Sequence, residues 1–159
     1  MATVKVPATY DAASFLIADD EPEHLEWLID YLEARGVKVE VVINVEQAIK
    51  AIEAKKFGGY VIDLNIPLAG WEPYVNKTNP AYEHYQGLHI IQMVRTQGNG
   101  GAKVIAYSAH FNEQITAEIK TLYCEYFVKG RAHELKNKID GLLSPSVKTP
   151  PASKKAGKP

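Results

Sequence analysis

The feature of the sequence that most restricts its fold is a regular alternation of short apolar runs with helical patterns. Five runs have the length and composition of β-strands, and they cover residues 14–18, 37–43, 60–62, 103–108 and 125–128. Each run is followed by a segment whose apolar residues recur every three or four positions, as on one face of a helix. Because crossovers between parallel strands are right-handed, this order predicts an α/β fold with a doubly wound, five-stranded parallel sheet.

Turn and capping residues mark where several of these elements begin and end. Pro22 is typical of the first turn of a helix, and Asn44 is a favourable N-cap for the second helix. Gly36 predicts the end of the first helix. The pair Gly58-Gly59 is interpreted as the break between the second helix and the third strand.

The chain is expected to form one domain at residues 14–143, preceded by a lead-in at residues 1–13. Residues 144–159 are rich in Pro, Lys, Ser and Ala, which predicts a flexible tail. Residues 68–86 have no periodicity and are predicted to be an extended loop. This loop carries four aromatic residues, Trp71, Tyr74, Tyr82 and Tyr85. Whether they pack onto the domain or form a docking surface stays open.

Composition narrows the classes of function. The net charge of the 159 residues is −1, so no bulk attraction to nucleic acid or membrane is implied and direct DNA binding is not expected. The single cysteine, Cys124, excludes an intrachain disulfide and a cysteine-based metal site. No run approaches the ~20 apolar residues of a membrane span, and no leader pattern precedes the first strand. A cytoplasmic location is expected.

Every predicted strand ends in polar residues that can take part in chemistry. These residues are Asp19 and Asp20, Asn44, Asp63, Ser108 and Lys129. The carboxyl ends of parallel strands meet at one edge of the sheet, where α/β proteins bind ligands. Three carboxylates there suit Mg²⁺, while a hydroxyl and an ammonium group suit the oxygens of a phosphoryl group. Asp63 is then either a metal ligand alone or a nucleophile that forms an aspartyl phosphate.

These residues, in this order, resemble the receiver domain of two-component response regulators, which has the flavodoxin-like (βα)5 fold. The resemblance covers residues 14–143 and implies that Asp63 is the phosphoacceptor. It implies that Asp19 and Asp20 are the acidic pair that helps to hold Mg²⁺, with the backbone carbonyl of Asn65 completing the metal site. Pro67 matches the turn proline of the family.

The resemblance extends to the last two strands. Ser108 is similar to the Ser or Thr that moves toward the phosphoryl group, and Lys129 to the phosphate-binding lysine. Tyr126, three residues before Lys129, is similar to the aromatic switch residue. Two features depart from the pattern. Gly130 replaces the proline that commonly follows the lysine, which leaves open whether that peptide bond is cis, and the loop at residues 68–86 is longer than usual.

The resemblance implies a phosphoacceptor switch of a two-component system or phosphorelay, and not a turnover enzyme. Its expected partners are a histidine kinase or histidine phosphotransfer protein and a downstream protein target. One alternative is a Mg²⁺-dependent phosphatase or phosphotransferase with an Asp nucleophile. Such enzymes use a second acid two residues after the nucleophile, where this chain has Asn65. The other alternative is a receiver-like binding module that is never phosphorylated.

Overall fold

The sheet is the element that positions every polar strand end. The computed structural model describes residues 5–109 and 111–143, in which five strands form one parallel sheet in the order β2-β1-β3-β4-β5. The strands are β1 (Tyr10–Ala18), β2 (Lys38–Val42), β3 (Lys56–Ile62), β4 (Val104–Ser108) and β5 (Glu125–Val128). The predicted fold class is confirmed. The order of strands reverses at β1, which makes the edge next to β1 and β3 the expected ligand site of this fold.

Helices connect the strands in the predicted order. They are α1 (Glu26–Glu33), α2 (Val45–Ala54), α3 (Pro80–His84), α4 (Gly87–Thr96), α5 (Glu113–Thr121) and α6 (Ala132–Leu143), with short 3-10 helices at Pro22–Leu25, Ala69–Tyr74 and Gly101–Lys103. The chain divides into two compact units, one that ends at Lys129 and contains the whole sheet, and one that begins at Gly130 and contains α6. The tail at residues 144–159 lies outside the described residues. No helix within the described ranges has the length and apolar character needed to cross a membrane.

Apolar side chains cover both faces of the sheet. Leu16 and Ala18 of β1 belong to a buried cluster that includes residues of α2, α4 and α5. Phe15 and Ile17, which alternate with them and so point to the opposite face, are also buried. A parallel sheet that is buried on both faces explains why its strands are continuous apolar runs in the sequence.

The first strand is longer than predicted. β1 begins at Tyr10, four residues before the predicted start at Ser14, and its first residues pair with β3 at Tyr10–Lys56 and Asp11–Phe57. An irregularity separates this short ladder from the regular one that starts at Phe15. Residues 10–13 are mostly exposed, so no apolar pattern marks them. Part of the predicted lead-in is therefore strand, and residues 1–4 lie outside the described residues.

Gly58 and Gly59 do not break the chain before β3, as predicted, but lie within it. A Cβ atom on Gly58 would lie 2.1 Å from the carbonyl oxygen of Ala12, and one on Gly59 would lie 2.3 Å from the ring of Phe15. The two glycines are therefore required by the close approach of β1, and not by a turn.

The segment at residues 68–86, called the insert below, has structure of its own. The prediction of an extended loop without secondary structure is wrong, because the insert contains the 3-10 helix Ala69–Tyr74 and the helix α3. Asn79 caps α3 by accepting a hydrogen bond from the backbone N–H of Ala81 at 3.0 Å. Each of these helices is too short to show an apolar stripe, so periodicity in the sequence does not reveal them.

Candidate functional site

Backbone hydrogen bonds continue the sheet past its strand ends and fix the candidate residues. The N–H of Asp19 donates to Val42 O at 3.0 Å, and that of Asp63 donates to Ala18 O at 2.8 Å. The N–H of Lys129 donates to Ser108 O at 2.9 Å. Because these residues continue the ladder, the backbone of the sheet holds their positions.

Three carboxylates meet at this edge. Oxygens of Asp19, Asp20 and Asp63 lie within 4.8 Å of one another. Asp19 and Asp63 are buried, at 1% and 6% exposure, whereas Asp20 is exposed. A site made of carboxylates with one side open to water matches the preference of Mg²⁺, which keeps several waters and takes few protein ligands. The donor set therefore fits the predicted metal.

Lys129 joins the two buried carboxylates. Its Nζ donates to Asp19 Oδ2 at 2.7 Å and to Asp63 Oδ2 at 3.0 Å. Burial by itself would lower the pKa of Lys129, but the hydrogen bonds and charges of Asp19 and Asp63 outweigh it, and the pKa is raised. The ammonium group is therefore held in its charged form beside the carboxylates.

Asp63 is held on both of its oxygens. Besides the bond from Lys129 to Oδ2, the backbone N–H of Asn65 donates to Oδ1 at 3.0 Å. Burial raises the pKa of Asp63, and the bonds from Asn65 and Lys129 offset that rise only in part. The Asn65 bond also places the main chain of Asn65, whose carbonyl is the predicted fourth metal ligand, next to the Asp63 carboxylate.

The sequence predicts Gly87 only as the start of a helix and does not reveal its close approach to the backbone of Asp63. The N–H of Gly87 donates to Leu64 O at 3.0 Å. A Cβ atom on Gly87 would lie 2.1 Å from the carbonyl oxygen of Asp63. Only glycine lets α4 begin this close to the backbone of Asp63. A glycine directly before an apolar helical stripe is the signal that was present in the sequence.

Ser108 ends β4, between the strands that carry Asp63 and Lys129. Its side chain is fully buried, and its Oγ is the one buried side-chain nitrogen or oxygen in the described ranges that has no hydrogen-bond partner. Such a group normally costs free energy and calls for an explanation, and an anion bound at the site would supply the missing acceptor.

Tyr126 does not lie among the carboxylates. Its side chain is 39% exposed, and its ring packs against Phe111 with the ring centroids 4.8 Å apart. Tyr126 is therefore in an outward orientation in this structure. The peptide bond that follows Lys129 is trans, and Gly130 adopts a positive φ of 97°.

The aromatic residues of the insert differ in burial, and Tyr85 is partly buried against the apolar core. Trp71 and Tyr82 are buried, and each ring contacts the imidazole of His89 edge-on, with ring centroids 5.0 Å apart. Tyr74 is half exposed and borders two cavities of about 330 and 450 Å³. Part of the cluster thus packs onto its own domain, and sequence reasoning missed His89 as the residue that it packs on.

Many solved structures share this fold. A two-component response regulator from Clostridium difficile matches with a TM-score of 0.65 at 15% identity, over 86% of this chain and 99% of that one. A response regulator receiver domain protein from Methanospirillum hungatei matches with a TM-score of 0.64 at 17% identity, over 90% and 96% of the two chains. A third match is the receiver domain of a sensor histidine kinase from Pseudomonas aeruginosa, which has a magnesium ion coordinated in its active site cleft. Its TM-score is 0.59 at 18% identity, over 82% of this chain and 97% of that one.

In the sequence comparisons, no family model and no curated protein matches the chain. At identities of 15–18% the three likenesses above establish the fold. The chain has the receiver fold, and the resemblance predicted from its sequence is confirmed at that level.

Proposed function

We propose that this protein is a phosphoacceptor response regulator of a two-component system or phosphorelay, phosphorylated on Asp63. The observation that carries the proposal is the Lys129 ammonium group, which lies 2.7 Å from Asp19 and 3.0 Å from Asp63 at the carboxyl edge of a receiver-type sheet. A nucleophilic carboxylate, a cation-binding acidic pair and a fixed ammonium group are the parts that phosphoryl transfer requires.

In the proposed reaction, an oxygen of the Asp63 carboxylate attacks the phosphorus atom of the donor. A new O–P bond forms as the N–P bond of a phosphohistidine breaks, and the imidazole leaves and takes up a proton. The Asn65 N–H orients the carboxylate, and Lys129 places positive charge beside the phosphoryl oxygens. Bound Mg²⁺, held by Asp19, Asp20, Asp63 and the Asn65 carbonyl, would neutralise charge that develops on those oxygens.

The response begins at Ser108 in this proposal. A phosphoryl group on Asp63 adds about −1.5 to −2 units of charge and three acceptor oxygens. Ser108, whose buried hydroxyl has no hydrogen-bond partner, ends the neighbouring strand and would donate to one of these oxygens. Movement of Ser108 would free space for Tyr126 to turn inward and would change the surface around α5 and β5. Output then passes to a downstream protein through that surface.

The donor is a histidine kinase or a histidine phosphotransfer protein, and a small phosphoryl donor can stand in for it in a test. Incubation with acetyl phosphate and Mg²⁺ should add one phosphoryl group, measured by intact mass, and Asp63→Asn should prevent the addition. Unchanged labelling of Asp63→Asn would refute the assignment. Steady release of phosphate from small phosphomonoesters would instead support an Asp-nucleophile phosphatase, and absence of labelling in the wild type would support a binding module.

A further inference from the structure

The insert makes direct side-chain contacts with α5, the helix that follows Ser108. Asn79 Nδ2 donates to Glu118 Oε1 at 3.0 Å, and the Tyr82 hydroxyl donates to Glu118 Oε2 at 3.1 Å. Both oxygens of one carboxylate on α5 therefore accept hydrogen bonds from the insert. Bonds to a charged acceptor are the stronger class of side-chain hydrogen bond.

A further contact joins the same two elements at the beginning of α5. Asn112 caps this helix by accepting a hydrogen bond from the Ile115 N–H at 2.9 Å, and its Nδ2 donates to the Tyr85 hydroxyl at 3.4 Å. The insert thus contacts α5 both at its N-cap and in its middle.

The insert also contacts α4 through His89, so its position does not depend on α5 alone. Tyr82 is 2% exposed, and its ring packs on His89 of α4. The Asn76 N–H donates to His89 Nε2 at 3.1 Å, and the other ring nitrogen lies 3.0 Å from Gln86 O. The imidazole therefore accepts on Nε2 and donates from Nδ1, and it ties the middle of the insert to α4.

We propose that Glu118 is a positioning residue for the switch, through which the insert holds α5, and with it Ser108, in the resting arrangement. The proposal rests on the function proposed above and concerns the regulation of the same site. Ser108 and α5 are joined by the short connection that contains Asn112. Because a movement of Ser108 toward a phosphoryl group pulls on this connection, a restraint on α5 opposes that movement.

The direction of the effect follows from linkage. Contacts that exist in the resting state and break in the phosphorylated state lower the apparent affinity of the site for a phosphoryl group. Their removal should raise that affinity, and couplings between sites commonly amount to factors of about 5 to 150. Tyr82→Phe removes one of the two bonds that the insert makes to Glu118 and keeps the buried ring, so we expect an increase of about fivefold.

The test uses the full chain with Mg²⁺ and beryllium trifluoride, a non-transferable mimic of the phosphoryl group, and measures its binding affinity. Tyr82→Phe and Glu118→Gln should each bind the mimic more tightly than wild type, and the double variant should gain less than the sum of the two because both changes weaken the same Tyr82–Glu118 contact. Tyr74→Phe and Glu113→Gln are matched controls, because they alter an exposed tyrosine of the insert and an exposed acid of α5. Both controls should bind like wild type.

Amide hydrogen exchange without the mimic separates a restraint from general loss of stability. Exchange in Glu113–Thr121 should become faster in Tyr82→Phe, whereas exchange in β3 and β4 should not change. If Tyr82→Phe and Glu118→Gln bind the mimic with wild-type affinity, or if exchange rises equally in all elements, Glu118 does not restrain the switch. If the wild type itself binds no beryllium trifluoride, the proposed phosphoacceptor function fails, and this proposal fails with it.

Discussion

The ammonium group of Lys129 and the carboxylate of Asp63 lie 3.0 Å apart, although 66 positions separate them in the chain. Lys129 divides its hydrogen bonds between Asp63 and Asp19, so one positive charge faces a group of three carboxylates. The uncompensated negative charge is what makes this edge attractive to a divalent cation.

Replacement of Lys129 by Met removes this charge and keeps the apolar stem. Without Mg²⁺ at pH 7, we expect the free energy of unfolding to fall by about 1–3 kcal/mol, because Asp19 and Asp63 lose a charged donor while they stay buried. The pKa of Lys129 is raised in the folded state, so its contribution is complete below the ordinary value of 10.5 and is lost only as pH rises above it. Urea unfolding measures the change, and labelling by acetyl phosphate should also slow.

Lys120→Met is the control for that variant, because Lys120 is an exposed lysine on α5. It should change neither the free energy of unfolding nor the labelling rate. A Lys129→Met protein with wild-type stability and labelling would contradict a role for the ammonium group.

Asp20→Asn should weaken Mg²⁺ binding without weakening the fold. Asp20 is the exposed carboxylate of the three, so stability should stay within about 0.5 kcal/mol of wild type. Loss of a ligand charge should lower the Mg²⁺ affinity at least about tenfold, as measured by calorimetric titration. The control is Glu23→Gln, which alters a neighbouring group of exposed residues, Glu21, Glu23 and His24. Equal loss of affinity in both variants would place the cation elsewhere.

Gly87→Ala should destabilise the protein and disturb the chain at Asp63. The added methyl group would lie 2.1 Å from Asp63 O and 2.8 Å from Leu64 Cα, so the start of α4 must move away from the site. We expect a loss of about 1–3 kcal/mol in unfolding free energy. In Gly141→Ala the methyl group meets no atom within 4 Å, and the change should be neutral or stabilising by up to about 1 kcal/mol. Similar effects of the two substitutions would refute the packing argument.

His89 should stay neutral at pH values where an ordinary imidazole begins to take up a proton. Burial lowers the pKa of His89, and the bond to Gln86 opposes this only in part. Its surroundings are Trp71, Tyr82, Asn76 and Gln86, and the one charged residue that lines the same cavity is Lys77. An NMR titration should show that the pKa of His89 lies below the ordinary histidine value of 6.5.

The sign of the resulting pH dependence follows from the lowered pKa. Above about pH 6.5 the imidazole is neutral in both the folded and the unfolded chain, so the titration of His89 takes nothing from the free energy of unfolding. As pH falls from 6.5 toward the folded pKa, the unfolded chain binds the proton first, and stability decreases by at most about 1.4 kcal/mol per pH unit. A His89 signal that titrates at or above the ordinary value of 6.5 would contradict the buried, neutral imidazole.

The strand ends could be predicted from the sequence because each follows a buried apolar run. A run such as the one before Asp63 is visible without knowledge of its neighbours, and parallel strands then bring their ends to one edge. Asp19, Asp63, Ser108 and Lys129 were found in this way, and the structure places them at the ends of adjacent strands.

The features that were missed depend on contacts between distant parts of the chain. Gly58 and Gly59 carry the usual signal of a turn, and only the approach of Ala12 and Phe15 shows why a strand requires them. The bonds from Asn79 and Tyr82 to Glu118 join residues 39 and 36 positions apart. No local pattern predicts such pairs, because the side chains involved are ordinary at each position by itself.

The distance along the chain between Asp19 and Lys129, 110 positions, has a consequence for the order of events in the life of the protein. During synthesis Asp19 and Asp63 leave the ribosome well before Lys129, and their carboxylates have no ammonium partner until β5 joins the sheet. Contacts between such distant residues form late, since the long intervening segment must first be ordered. A nascent or partly folded chain therefore lacks the complete set of Asp19, Asp63 and Lys129 contacts. Under the proposed function, phosphorylation would be restricted to molecules that have finished folding.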